Sequence, residues 1–240
     1  MLPIEQTLLE VPIEAQPDDV TCGPTCLQAV YGYYGLSLPL SRVIRQVKQL
    51  KSGGTLAVLL GQDALKRGFQ VTIITYNLHM FDPTWFNQKQ IKLIEKLREQ
   101  LEFKSTKKFQ FAAESYINFL EKGGSIKFKD LTPTLIRSYL NKNQPILTGL
   151  SATYLYNSAR EIGDTNTYDD IKGTPTGHFV VIDGYNRQNR EALISDPLKP
   201  NPISDGQHYA VPIQRLINSI MLGIVTYDAN LLIIEPKKKK

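Results

Sequence analysis

Apolar positions recur at helical spacing through the first third of the chain. Leu27, Val30, Tyr31 and Tyr34 share one face of a helix predicted over residues 22–34, with Gly35 placed to end it. Val43, Ile44, Val47 and Leu50 carry the same spacing into a second helix stopped by Gly53-Gly54. A third runs from Leu56 to about Arg67, with Gly68 beyond its end. The β-branched and aromatic run Phe69 to Tyr76 suits a strand. Asp82-Pro83 has the form of an N-cap followed by proline in a first turn, and predicts a helix bearing Ile91, Ile94, Leu97 and Leu101. A further helix through Ala113, Tyr116, Ile117 and Leu120 ends at Gly123-Gly124.

The pattern changes after Pro145. Short apolar runs, Ile146 to Leu150, His178 to Tyr185, Ala192 to Ser195 and Asn230 to Ile234, alternate with Gly, Pro, Asn and Asp and predict a mainly β second half. Between the first two runs lies a polar loop, about 151–177, longer than structureless loops usually are and therefore a candidate functional element. No internal repeat is visible. Helices first and strands later give an α+β organisation.

Composition adds bounds. The 240 residues are 42% hydrophobic and 21% charged, ordinary values for a folded globule. They read as one domain over 1–236 with a lysine-rich helical insertion at about 81–129 and a basic tail at 237–240. That insertion holds no catalytic motif and is expected to govern substrate choice, leaving the chemistry to its flanks. Four of the five net positive charges belong to Lys237–Lys240, so the charge does not argue for nucleic acid. The start at Met1-Leu2-Pro3-Ile4-Glu5 does not read as a signal peptide, and no window approaches the roughly 20 apolar residues of a membrane span. With only two cysteines, Cys22 and Cys26, a disulfide framework is not expected, and a cytoplasmic location is. The composition does not determine an oligomeric state.

The chemistry concentrates at Cys22. A nucleophilic cysteine needs an environment that favours thiolate, a base and donors for an oxyanion. Cys22 precedes Gly23-Pro24 at a predicted helix start, where the macrodipole and free N–H groups favour negative charge. Gln16, six residues earlier, can bring its amide to the same oxygen as the Cys22 N–H. His178 opens the apolar strand Gly177-His178-Phe179-Val180-Val181, and Asp196 ends the next one in Ser195-Asp196-Pro197. A short turn around Asn186 to Arg190 sets these strands antiparallel and brings Asp196 beside His178. Asp183 is closer in sequence, but its odd separation from His178 puts it on the other face. Tyr154, Tyr156, Asp169 and Asp170, on the loop before His178, are candidates to line a substrate entrance.

Gln16 with Cys22-Gly23-Pro24-Thr25-Cys26-Leu27, Gly177-His178-Phe179-Val180-Val181 and Ser195-Asp196-Pro197 together resemble the papain-like bacteriocin-processing peptidases. That family removes double-glycine leader peptides and is commonly fused to ABC exporters. The resemblance implies a papain-like fold with the active site in the cleft between a helical half and an antiparallel β half. It also implies a triad of Cys22, His178 and Asp196, an oxyanion hole that uses Gln16, and a peptide or protein substrate. Thr21 stands where the family often has an acidic residue. No membrane helix and no Walker A sequence accompany these motifs, so the resemblance is to a stand-alone version.

Blander readings stand beside this one. A lone cysteine is more often a small core residue than a nucleophile, and Cys26, one helical turn on, is read that way. A metal site built on both cysteines and His178 lacks a fourth ligand at familiar zinc spacing, so neither metal nor organic cofactor is expected. His79 and His208, without an acidic neighbour in sequence, read as solvated. The same site also suits an acyltransferase or transpeptidase that resolves the thioester with an amine, or a peptide-binding module that has lost turnover.

Overall fold

The computed structural model describes residues 6–50, 53–87, 90–163, 165 and 167–237, with Gln90 and Ile91 described by backbone alone. The chain start at 1–5, the Ile91 side chain and the tail lysines 238–240 lie outside the described residues.

Along the chain run β1 (Gln6–Leu8), α1 (Cys22–Tyr33), α2 (Leu40–Gln46), α3 (Ala57–Lys66) and β2 (Phe69–Thr75). A 3₁₀ turn at Pro83–Asn87 precedes α4 (Gln90–Phe103), α5 (Lys107–Glu121), β3 (Ser125–Lys127) and α6 (Pro133–Leu140). Then come β4 (Ile146–Ser151), α7 (Ala152–Tyr156), the short pair β5 (Glu161–Ile162) and β6 (Thr167–Tyr168), β7 (Gly177–Asn186) and β8 (Glu191–Ser195). β9 (His208–Pro212), α8 (Ile213–Leu222), a 3₁₀ turn at Gly223–Thr226 and β10 (Asn230–Pro236) follow.

Among the described residues, eight strands form one sheet in the order β3-β2-β10-β4-β7-β8-β9, with β1 added to β7. All pairings are antiparallel except β2 with β3. Strand β7 is the spine. β4 pairs with its first half from Gly177 to Ile182, and β1 takes over from Gly184 to Asn186. β4 is buried at every position, so both faces of the sheet centre are covered, and its apolar run lacks the alternation of a one-sided strand. Helix α1 packs on β7, α3 on β2 and β10, and α8 on β4. The result is a mixed α and β fold in which the first residue of α1 is delivered to the start of β7.

Two glycines set that approach. A Cβ on Gly23 would lie 2.6 Å from Thr55 Cγ2 and 3.3 Å from the Phe179 ring, so a side chain there would lift the start of α1 off the sheet. A Cβ on Gly177 would collide with Thr226 Oγ1 and with the Asp228 carboxylate beneath it.

Several expected elements differ. The second helix stops at Gln46 because Val47 is extended and Leu50 enters a turn with Gly53 and Gly54, both at positive φ. At Asp82-Pro83 the Asp82 carboxylate accepts from the N–H and hydroxyl of Thr84, which closes a 3₁₀ turn, and the α-helix begins only at Gln90. The polar stretch 151–177 is not structureless, since it holds α7, capped by Ser151, and the β5–β6 pair. Two further helices, one just before the β half and one within it, were not announced by the apolar runs. α6 is marked by Thr132, which caps Leu135 N–H, followed by Pro133. α8 buries Ile213, Leu216, Ile217 and Ile220 at helical spacing.

The segment at about 81–129 shares the core with its flanks. Phe109, Ala113, Tyr116 and Phe119 of α5 join the same apolar cluster as Leu60, Val71 and Leu232, and β3 pairs with β2. Phe119 fills space left by Gly61, where a Cβ would stand 2.9 Å from its ring. Truncating so enclosed an aromatic removes its transfer energy and leaves a cavity, a loss of about 3–5 kcal/mol. Phe119→Ala is therefore expected to lower the urea midpoint by that equivalent, and replacement of 81–129 by a Gly/Ser linker to abolish cooperative unfolding. Circular dichroism across a urea series measures both; unchanged midpoints would show that the segment is energetically separate.

Candidate active site

Cys22 is the first residue of α1 and is half-buried. The first N–H groups of a helix have no intrahelical acceptor, and Pro24 contributes none, so the Cys22 and Gly23 N–H groups point out of the helix start. Thr21 O already serves Thr25 N–H and the Thr25 hydroxyl, and the Thr21 hydroxyl donates to Asp18 O at 3.2 Å. The same Asp18 carbonyl accepts from Gln16 Nε2 at 2.9 Å. Gln16 is thus linked, through one shared acceptor, to the residue that precedes Cys22. One Nε2 proton is committed to Asp18, and the second is left to donate elsewhere. The Gln16 N–H donates to Pro197 O at 2.9 Å, which ties this turn to the segment following Asp196.

His178 and Asp196 meet across β7 and β8. His178 is buried at the second position of β7, and its Nε2 lies 2.8 Å from Asp196 Oδ1. That leaves Nδ1 as the ring nitrogen available to Cys22, whose side chain also engages the imidazole. Asp196 is fully buried yet well supplied with donors. Oδ1 also accepts from Leu198 N–H at 2.9 Å, and Oδ2 accepts from Tyr156 Oη at 2.7 Å and Tyr209 Oη at 2.5 Å.

These contacts decide the charges. Burial works against the imidazolium, but the Asp196 carboxylate, then the Cys22 sulfur, and hydrogen bonds to both push His178 up to about 10. Burial also opposes ionisation of Asp196, but His178 and hydrogen bonds from His178, Tyr209 and Leu198 N–H hold it at about 2. The directions agree: each partner stabilises the other's charged form.

The remaining candidates fall into place differently. Cys26 is fully buried, donates to Phe179 O at 3.2 Å, and has its pKa driven up by burial. Tyr156 stands beside the site, its ring 6.0 Å from His178, and spends its hydroxyl on Asp196. Tyr154 turns to α8 instead, under Arg215 and beside Asn218. Asp169 accepts from the N–H groups of Ile171 and Lys172, and the Asp170 carbonyl from Arg160, so both are engaged in their own turn. Asp183 faces away from His178, as its position on β7 requires. It accepts from Ser195 Oγ and lies 4.0 Å from His208 Nδ1. His208 is exposed, as a solvated histidine would be, but it has partners that are distant in sequence: it sits on β9 opposite Ser195 and lies near Asp183 across the pairing.

Two groups at the site carried no sequence signal. Tyr209 reaches Asp196 only because β9 pairs with β8, aligning it with Ile194. Asp228 is buried below Gly177, accepts from Thr226 Oγ1 at 2.8 Å, and feels the His178 charge. Burial raises it to about 7, against the pull of Thr226, Lys108 and His178.

The model of the Peptidase_C39 like family matches residues 8–218. The solved structure of a C39-like peptidase from Bacillus anthracis is similar at TM-score 0.51 and 15% identity, over 98% of this chain and 100% of that one. Xylellain, a cysteine protease from Xylella fastidiosa, aligns at 0.47 and 13% identity, over 98% and 87%. A double glycine motif protease from an AMS/PCAT transporter, solved with its leader peptide, aligns at 0.46 and 16% identity, over 96% and 95%. No curated protein matches.

The charge coupling sets a pH dependence. Asp196 is lowered from its ordinary value of 3.8, so its contribution to stability is present above that pH and is lost as pH falls through about 2. His178 is raised from 6.5, so its contribution is complete below 6.5 and is lost as pH rises through about 10. Asp196→Asn removes the carboxylate and is expected to bring the imidazole titration down by several units. NMR titration of the His178 ring measures this; an unmoved midpoint would show that Asp196 does not hold the charge.

Proposed function

The chain belongs to the Peptidase_C39 like family and is a cysteine-type peptidase, and on that premise we propose that Cys22 is its nucleophile, His178 its general acid and base, Asp196 the residue that orients His178, and Gln16 an oxyanion donor. The observation that carries this reading is the division of the imidazole: Nε2 is held by a buried carboxylate at 2.8 Å, and the other nitrogen is left to the Cys22 side chain at a helix start.

In this mechanism Cys22 Sγ, as thiolate, attacks the substrate carbonyl carbon. The carbonyl electrons move to oxygen, and that oxyanion is met by the Cys22 N–H and the free Gln16 Nε2 proton. The intermediate collapses as His178 transfers its proton to the departing amine, leaving a thioester and a neutral imidazole. Water then attacks the thioester with His178 accepting its proton. A second collapse releases the carboxylic acid and restores the thiolate–imidazolium pair. Asp196 stays ionised throughout, and Tyr156 and Tyr209 hold it in place.

The substrate class we propose is a peptide or isopeptide bond of a polypeptide. Among the described residues no helix is long and apolar enough to cross a membrane. We place the enzyme in the cytoplasm because a reducing compartment keeps thiols reduced and both cysteines are free.

Cys22→Ala and His178→Ala are each expected to abolish peptide turnover while keeping the native circular dichroism spectrum, and Cys26→Ala to retain turnover. An active Cys22→Ala enzyme would overturn the assignment. Gln16→Ala should lower kcat by about 10² to 10³ with little change in KM, the usual loss of one oxyanion donor. Steady-state kinetics on a cleavable reporter peptide, found by library screening, supply both constants, and an unchanged kcat removes Gln16 from the oxyanion hole.

A further inference from the structure

At the end of β7 opposite His178, two adjoining cavities of about 420 and 350 Å³ share Thr134, Arg137, Tyr185 and Arg187. Arg190, at the tip of the β7–β8 turn, lines the second. Neither cavity touches Cys22, His178 or Asp196. Seven residue steps of extended strand separate His178 from Tyr185, about 23 Å, so this groove is not part of the peptidase site.

Its lining is unusual in charge. Among the described residues, three guanidinium groups face one concavity, no Asp or Glu lines it, and none of the three forms an ion pair. Arg137 is held in position, with its plane over the Tyr185 ring at 5.4 Å and one N–H on Thr134 Oγ1 at 3.3 Å. That leaves the Thr134 hydroxyl proton and the other edge of the Arg137 fork available. Asn141 Oδ1 accepts from the Thr7 hydroxyl, which directs the Asn141 NH₂ group to further acceptors. The start of α6, with Pro133 in its first turn, borders the second cavity.

We propose that this groove binds a small polyanion of phosphoryl chemistry, such as a polyphosphate or the phosphate chain of a nucleotide. A single carboxylate has two oxygens and one charge. One guanidinium fork saturates it, leaving the other two cations to repel each other. A phosphoryl chain offers three or more oxygens and a charge of two to four, matching both the three forks and the added hydroxyl and amide donors. The joint volume is in the range of small-molecule sites and far exceeds one phosphate ion.

The test is isothermal titration calorimetry of the full chain with inorganic tripolyphosphate at 0.15 M salt, with citrate as a polyanion lacking phosphorus. Saturable one-to-one binding of tripolyphosphate, at least tenfold tighter than citrate, is expected. Arg187→Gln, an exposed change that leaves the fold untouched, should weaken it at least tenfold, as should Arg137→Gln. Arg98→Gln on α4, whose charge pairs with Glu121, should leave it unchanged. Peptide turnover by Arg187→Gln should equal that of the parent, so a loss of binding here is separable from any failure of the catalytic assignment. Absence of saturable binding, equal affinity for citrate, or equal weakening by Arg98→Gln would overturn the proposal.

Discussion

A buried charge with four hydrogen-bond donors organises this molecule. Asp196 has no exposure to water, and an unsupported carboxylate in such a place would take up a proton. Its ionisation is maintained by His178 Nε2, Leu198 N–H, Tyr156 Oη and Tyr209 Oη, which come from β7, the chain after β8, α7 and β9. Each donor requires its element to sit where it does. The sheet order, the placement of α7 and the register of β9 are therefore conditions for one ion, and the ion in turn keeps the imidazole charged and aimed.

The other half of the site is assembled by close approach. Gly23 lets the start of α1 settle against Thr55 and Phe179, and Gly177 lets β7 begin directly above Asp228. Cys26, one turn along α1, anchors the helix by donating to Phe179 O. One cysteine thus fixes the helix against β7 while the other is presented at its end. Burial separates the two, because the sulfur that donates inside the core lies where a thiolate is strongly disfavoured.

Much of this was legible in the chain. Two strands joined by a tight turn are a local feature, so residues 178 and 196 could be brought together from strand pairing, while residue 22, in a short motif at a helix start, was joined to them by the family resemblance. The segments around α6 and α8 were missed because eight to ten residues hold too few turns for an apolar period to declare itself, although Thr132-Pro133 marks the start of α6. Tyr209, Asp228 and the partnership of His208 with Asp183 were beyond reach for another reason. Each depends on how distant segments lie across the sheet, and no residue type at those positions announces its neighbour. The helical segment after Asp82 looked separable because its lysines are on view in sequence, whereas its buried aromatic positions reveal their partners only in three dimensions.

The sheet order has a consequence for the time at which the enzyme exists. β10, the last of the described strands in the chain, is not at an edge: it lies between β2 and β4 and pairs with both. Until it is inserted, the β2–β3 pair has no backbone hydrogen bonds to the strands that carry His178 and Asp196. Pairings of such sequence separation form late, since the entropy of closing the chain precedes their reward. A nascent chain emerging from the ribosome would thus hold Cys22 without a completed scaffold around it until β10 has been made. For a protease this is a built-in delay, with proteolytic competence arriving only after β10 is in place.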